Sequence, residues 1–261
     1  MFLYGDPLAN KIISDLKTRK TPAGALVVIQ LNDDPTSSLY IKKKAELARD
    51  LGIVFNLIKL PSSISFSSLK FKINKLNNDK SVRAILVQMP LPDHLERIKV
   101  AQLISKNKDV DGFGYIIGND NTVLPPTVAA ISDLLSFYKI SLVGKKVLIV
   151  GGGFLVGKPL YRYLMENEIN VEVLDKNDKD YFERIRSADV VITSTGRGAK
   201  FTYGDFKKNA TVIDASTVCE GGFTVGDVET RGWKADKNLA PVPGGVGPVT
   251  VAELFKNFFQ L

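Results

Sequence analysis

Cysteine and histidine are almost missing from this chain of 261 residues: Cys219 and His94 stand alone, beside one tryptophan and three methionines. A single cysteine closes no internal disulfide and builds no thiolate cluster, and with one histidine a His/Cys zinc site is excluded, so no metal is expected. No apolar run reaches the ~18 residues of a membrane-spanning helix. The start, "MFLYGDPLANKIISDLK", lacks a basic segment before an apolar stretch and carries acids early, unlike a secretory or transit peptide. The expected location is therefore the cytoplasm, with no membrane partner. Repeats and low-complexity tracts are missing too. What is present is ordinary for a globular chain: 44% hydrophobic and 24% charged residues, in a length that suits one large or two modest domains. The net charge of +7 comes from 35 basic and 28 acidic side chains. The lysines are scattered and no basic run interleaves with aromatics, so nucleic acid is not an expected partner, whereas an anionic small molecule is compatible.

Strand-length apolar runs alternate with helical ones along nearly the full chain. "GALVVIQL" (24–31), "IVFNLIKL" (53–60) and "AILVQM" (84–89) read as strands, with helical spacing in "SSLYIKKKAELARDLG" and "SFSSLKFKINKLNND" between them. After residue 127 the pattern restarts. "VAAISDLLSFY" reads as helix, "KKVLIV" as strand, then a helix begins at Gly157. "NVEVL" (170–174), "ADVVITST" (188–195) and "ATVIDAS" (210–216) are further strands. Continuous apolar strands parted by helices predict parallel sheets buried on both faces. The expected fold is α/β: two doubly wound domains, the second Rossmann-like, with an amphipathic C-terminal helix, "GPVTVAELFKNFFQL", returning to the first. The loop "GFGYIIGNDNTVLPP" (112–126) is the expected crossing. It divides a first domain of residues 1–127 plus 244–261 from a second of 128–243.

"VLIVGGGFLVGKP" (147–159) runs a hydrophobic strand into Gly151, Gly152, Gly153 and Gly157. Glycines there let the backbone turn tightly and approach a pyrophosphate at a helix N-terminus, where free N–H groups favour anions. A plain strand-to-helix turn would look similar. The next strand sharpens the reading, because "NVEVLD" ends in Asp175, where dinucleotide-binding folds place an acid on the ribose hydroxyls. Asp175 as a solvated turn residue in "DKNDKD" is the competing explanation. A carboxylate there favours NAD over NADP, whose 2′-phosphate it would repel; the neighbouring Lys176 works the other way.

Lys42, Lys43 and Lys44 form a run that would ordinarily be a solvated face. At about 100° per residue, Tyr40, Ile41, Ala45, Leu47, Ala48 and Leu51 share one arc, and Lys42, Lys43, Glu46, Arg49 and Asp50 the opposite one. Lys44 falls inside the apolar arc, one turn from Tyr40. A partly desolvated ammonium has a lowered pKa suited to proton transfer. Gln88 ends the apolar strand at its carboxyl end, where open α/β sheets place ligands. "KDVDGFG" brings Asp109 and Asp111 to a loop before glycines. His94 and Cys219 read as incidental, Met89 and Trp233 as packing residues.

Taken in order, "PTSSLYIKKK", "AILVQMPLP", "KDVDGF", "VLIVGGGFLVGKP", "VIDAS", "VGDV" and "PVPGGVGPVTV" resemble the bifunctional methylenetetrahydrofolate dehydrogenase/methenyltetrahydrofolate cyclohydrolase family over nearly the whole chain. The resemblance implies a homodimer with its active site in a cleft between the two halves. It implies oxidation of 5,10-methylenetetrahydrofolate with a nicotinamide cofactor, NAD or NADP, and hydrolysis of the methenyl product to 10-formyltetrahydrofolate. By the same resemblance Lys44 matches the catalytic lysine, Tyr40 the tyrosine stacking on the folate, Gln88 the glutamine modulating the lysine, and Asp111 the acid gripping the pterin. Pro243, Gly244 and Gly245 would line the folate side, and Thr217 would contact the cofactor. The chain departs from the family pattern at "PPTVAA" (125–130), at "VIDAS", where "VIDVG" is common, and at Ala240, where threonine is usual. A monofunctional dehydrogenase and a non-catalytic binding paralogue are the alternatives. Retention of Tyr40, Lys44, Gln88 and Asp111 argues against the first, and the presence of Lys44 against the second.

Overall fold

The structure, a computed structural model, describes residues 1–32, 34–119, 122–198, 200–221 and 223–261, apart from the Thr36 side chain. Asp120 and Asn121, in the expected crossing loop, lie outside the described residues. In chain order the elements are α1 (Asp6–Thr18), β1 (Ala25–Gln30), α2 (Pro35–Asp50), β2 (Phe55–Lys59), α3 (Phe66–Asn78), β3 (Val82–Val87), α4 (Arg97–Ala101), α5 (Phe113–Ile116) and α6 (Pro126–Phe137). There follow β4 (Val147–Val150), α7 (Gly157–Glu166), β5 (Val171–Leu174), α8 (Tyr181–Ser187), β6 (Val190–Thr193), β7 (Thr211–Asp214), β8 (Val218–Glu220), β9 (Phe223–Val225), β10 (Asn238–Ala240) and α9 (Val246–Gln260). None of the described helices is long and apolar enough to cross a membrane.

The chain divides into two compact units. One comprises residues 12–126 with 251–261 and carries a three-stranded parallel sheet, order β2-β1-β3. Every residue of β1 is buried. Strand β2 departs from the expectation of burial on both faces: it is a sheet edge, with Asn56 and Leu57 exposed. Helix α2 begins where Pro35 supplies a fixed φ and the Asp34 carboxylate accepts from the Ser37 N–H at 2.7 Å. Its apolar stripe packs Ile41, Ala48 and Leu51 against Leu26, Val28 and Leu86. Val251, Leu254, Phe255 and Phe258 of α9 complete that core. Amphipathic was too weak a description of α9, whose other side also holds buried residues. Asn257 is one of them, donating to the carbonyls of Val110 (3.1 Å) and Leu124 (2.9 Å).

The other unit comprises residues 1–11 and 127–250, around a five-stranded parallel sheet of order β10-β7-β6-β4-β5. Its core joins Leu148, Val150, Val191, Val212 and Leu239 to Ile185, Phe201 and Phe206. This grouping differs from the division at 127 and 244 at both ends. Phe2 bridges Leu239 in parallel, and Leu3 N–H donates to the Leu239 carbonyl at 2.7 Å. Gly5 N–H donates to Gly244 O at 2.7 Å, so both termini of the segment are tied by backbone hydrogen bonds. Strands β8, β9 and β10 were not foreseen. Each is three residues long, too short for a period to show.

Candidate active site

Three side chains converge at the carboxyl end of the three-stranded sheet. Ser37, Ile41, Lys44, Ala48 and Leu51 are the fully buried residues of the α2 face and its end, and Lys44 is only 8% exposed. Its ammonium donates to Gln88 Oε1 at 3.0 Å. Gln88 follows β3 and keeps the ladder going, its N–H donating to Ile29 O at 2.8 Å, while its Nε2 donates to Met89 O at 2.9 Å. The buried Ser37 hydroxyl donates to that same carbonyl at 2.9 Å, and Asn32 Nδ2 donates to Pro90 O, so α2 and the Met89–Pro90 turn are laced together. The Gln88 amide is thus oriented before it meets the lysine.

Burial lowers the Lys44 pKa, and the Asp111 carboxylate partly offsets this. Asp111, half-buried, is in turn pushed up by desolvation and pulled down by Lys44. The outcome is a lysine that gives up its proton more readily than a free one, beside an acid and an amide. Asp109 has another task. It is buried and accepts from the N–H groups of Phe113 (3.1 Å) and Gly114 (2.6 Å), with its pKa raised to about 6 by burial. Gly112 sits between them at φ 70°, where a Cβ would lie 2.7 Å from Pro125 N, so only glycine suits the bend carrying Asp111. Tyr40, half-buried, lies one turn before Lys44, with the Lys43 ammonium 5.6 Å from its ring centroid.

The five-stranded unit carries the other group of residues. Its strand order reverses between β4 and β6, which is where open α/β sheets bind ligands. Gly151 has φ 101°, and a Cβ on it would sit 2.8 Å from Ser194 O; a Cβ on Gly157 would overlap the Gly151 carbonyl oxygen. These two glycines are demanded by the fold itself. Gly152 is tighter than ordinary contact with Val173 (3.3 Å), but a Cβ on Gly153 would meet nothing within 4 Å. Gly153 therefore has no packing reason of its own, and it opens onto free space beside the start of α7. A dinucleotide phosphate fits that geometry.

Asp175 and Lys176 are exposed immediately after β5, next to the glycine turn, whose Gly151 N–H donates to Leu174 O at 2.9 Å. Asp175 Oδ1 accepts from Asn177 N–H at 3.3 Å. Thr217 is half-buried between β7 and β8. Pro243, Gly244 and Gly245 belong to this unit, with Gly244 at φ 104° and Gly245 N–H bound to Pro241 O at 2.7 Å. His94 is exposed, with its Nε2 2.9 Å from Ile64 O, and Cys219 is exposed in β8. Among the described residues no group of three or more His, Cys, Asp or Glu is placed to hold a metal. Sequence reasoning passed over two wholly buried carboxylates, Asp214 and Asp227. The signal was there: "TVID" is an apolar strand that ends in an acid, the same oddity that drew attention to Gln88.

Comparison with known proteins identifies the family. The family model for the tetrahydrofolate dehydrogenase/cyclohydrolase catalytic domain matches residues 3–111, and that for the NAD(P)-binding domain matches residues 125–261. The bifunctional protein FolD of Rickettsia bellii is 37% identical over 98% of this chain and 96% of its own length. The crystal structure of the bifunctional FolD dehydrogenase/cyclohydrolase from Campylobacter jejuni superposes with a TM-score of 0.90 at 34% identity, covering 100% of this chain and 97% of that one. A Trypanosoma brucei methylenetetrahydrofolate dehydrogenase-cyclohydrolase, solved with NADP and an inhibitor, gives a TM-score of 0.89 at 26% identity, covering 100% and 96%. Matched by both domain models and by full-length relatives, the chain belongs to the tetrahydrofolate dehydrogenase/cyclohydrolase family.

Proposed function

We propose that this protein oxidises 5,10-methylenetetrahydrofolate to 5,10-methenyltetrahydrofolate with a nicotinamide cofactor and hydrolyses the methenyl product to 10-formyltetrahydrofolate. The observation that carries the reading is the buried Lys44 ammonium, hydrogen-bonded to Gln88 and electrostatically coupled to Asp111. Hydrolysis needs a group that takes a proton from water attacking the methenyl carbon and returns one as the ring opens. Lys44, its pKa lowered by burial, serves both ends of that transfer. Gln88 holds the lysine nitrogen in place through its carbonyl oxygen. Asp111 offers its carboxylate to the N–H groups of the pterin, and Tyr40 offers a ring face for stacking.

The nicotinamide supplies hydride acceptance. Gly151, Gly152, Gly153 and Gly157 form the turn that admits its pyrophosphate at the start of α7, and Thr217 follows β7 at the same, carboxyl end of the parallel sheet. Asp175 takes the ribose hydroxyls and favours NAD over NADP, with Lys176 as the opposing influence. Pro243, Gly244 and Gly245 line the folate side. The enzyme acts as a homodimer; the edge strand β2, with Leu57 40% exposed, supports a self-associating surface.

Lys44→Met tests the assignment, since it keeps most of the length of the unbranched side chain but removes the proton carrier. Cyclohydrolase turnover should fall by at least about 100-fold, the scale of a lost general acid–base group, while cofactor affinity is unchanged. Hydrolysis of methenyltetrahydrofolate at the parent rate would remove Lys44 from the mechanism.

A further inference from the structure

The crevice at the reversal between β4 and β6 has two walls, and the glycine turn is only one. The other is the loop after β6. Ser194 joins the two: its N–H donates to Val150 O and its hydroxyl to Gly151 O, both at 2.9 Å. Beyond it the loop takes left-handed backbone at Gly196 (φ 66°) and Gly198 (φ 68°), a conformation open to glycine.

Its shape is set from beneath. The wholly buried Asp227 accepts from Thr195 N–H on Oδ2 (2.7 Å), and from Thr195 Oγ1 (2.8 Å) and Arg197 N–H (3.3 Å) on Oδ1. Gly196 N–H, between them, donates to the buried Ser216 hydroxyl at 2.9 Å. Asp214, also wholly buried, holds Ser216 N–H at 3.0 Å, Thr193 Oγ1 at 3.3 Å and Val228 N–H at 2.8 Å. Three consecutive N–H groups of the loop are thus turned inward onto one carboxylate and one hydroxyl. The loop can offer a ligand carbonyls and side chains, which suit ribose hydroxyls and a carboxamide N–H. The glycine turn at the start of α7 offers N–H groups, which suit phosphate. Buried carboxylates are costly, and this pair is placed where a loop must be held rigid.

We propose that Asp227, supported by Ser216 and Asp214, is a positioning residue for the nicotinamide cofactor, fixing the Thr195–Arg197 loop as the second wall of its crevice. This rests on the reading that the cofactor binds at the β4/β6 reversal.

Asp227→Asn keeps the volume but turns one acceptor into an N–H₂ group that faces a backbone N–H. In the full-length variant, KM for the nicotinamide and the dissociation constant of its reduced form should rise about tenfold, the scale of a lost charge-assisted hydrogen bond. Hydrolysis of methenyltetrahydrofolate, which consumes no nicotinamide, should stay within about twofold of the parent. A cofactor KM within about twofold of the parent overturns the proposal, as does a parallel loss of both activities in a folded variant. Should Asp227→Asn fail to fold, Ser216→Ala decides: it removes the Gly196 acceptor alone, so a cofactor KM about threefold higher with unchanged hydrolysis supports the proposal, and an unchanged KM overturns it. A parent protein that neither binds nor reduces a nicotinamide would instead strike at the proposed function, and is measured before any variant.

Discussion

Asp175 is the single residue on which the proposed preference for NAD rests. It follows the last residue of β5, which receives a hydrogen bond from the glycine turn, so its carboxylate is carried on ordered backbone. Lys176 is one step further into the exposed segment. In the proposed reading the carboxylate, in close contact with a 2′-phosphate, outweighs the neighbouring ammonium, because like charges with little solvent between them repel. Asp175→Ser should shift the ratio of kcat/KM values toward NADP by at least about tenfold, equal to ~1.4 kcal/mol. Measuring both cofactors side by side on parent and variant checks this, and a parent that already prefers NADP would defeat it. Residues of this kind were readable from the sequence where chemistry broke a pattern. Lys44 in an apolar arc and Gln88 ending an apolar strand both stood out, and both now share one hydrogen bond. Asp214 broke a pattern too, but of its partners only Ser216 is local; Thr193 and Val228 lie 21 and 14 residues away and are brought to it by the fold.

At the scale of elements, the turn between β4 and α7 separates two demands on glycine. Gly157 is required by the fold, since a Cβ there would overlap the Gly151 carbonyl. Gly153 has open space around it. Gly157→Ala should therefore cost about 1–3 kcal/mol or more in stability, as over-packing against fixed backbone does. Gly153→Ala should leave the melting temperature unchanged and weaken cofactor binding. Thermal melts paired with cofactor titrations of the two variants check the contrast, and equal effects on both readouts would erase it. The strands and helices that position this turn were legible because their runs are long enough for a period. Edge strand β2 was less so, since alternation and continuous burial differ little over five residues, and the hairpin β8–β9 gave no periodic signal.

For the whole molecule, buried acids make stability depend on pH. Burial raises the Asp214 pKa from an ordinary 3.8 to about 7, so the folded protein holds that proton more tightly than the unfolded chain. Its contribution is complete below about pH 4 and is lost as pH rises through about 7. Asp214→Asn mimics the protonated acid at every pH. The stability difference between parent and variant, from urea melts between about pH 5 and 8, should therefore shift against the parent as pH rises. Asp109, raised to about 6, has the same sign and cancels in the comparison. A difference independent of pH would place the Asp214 carboxyl in its ordinary range.

The core of the three-stranded unit closes only with Val251, Leu254, Phe255 and Phe258. Those residues follow the entire stretch 127–250 that builds the other sheet. On the ribosome, then, Leu26, Ile41 and Leu86 are made early, but their core cannot close until α9 leaves the exit tunnel. The usual order of synthesis, in which the first domain folds first, is inverted here. Until then the nascent chain carries a half-built apolar surface, a ready target for chaperones.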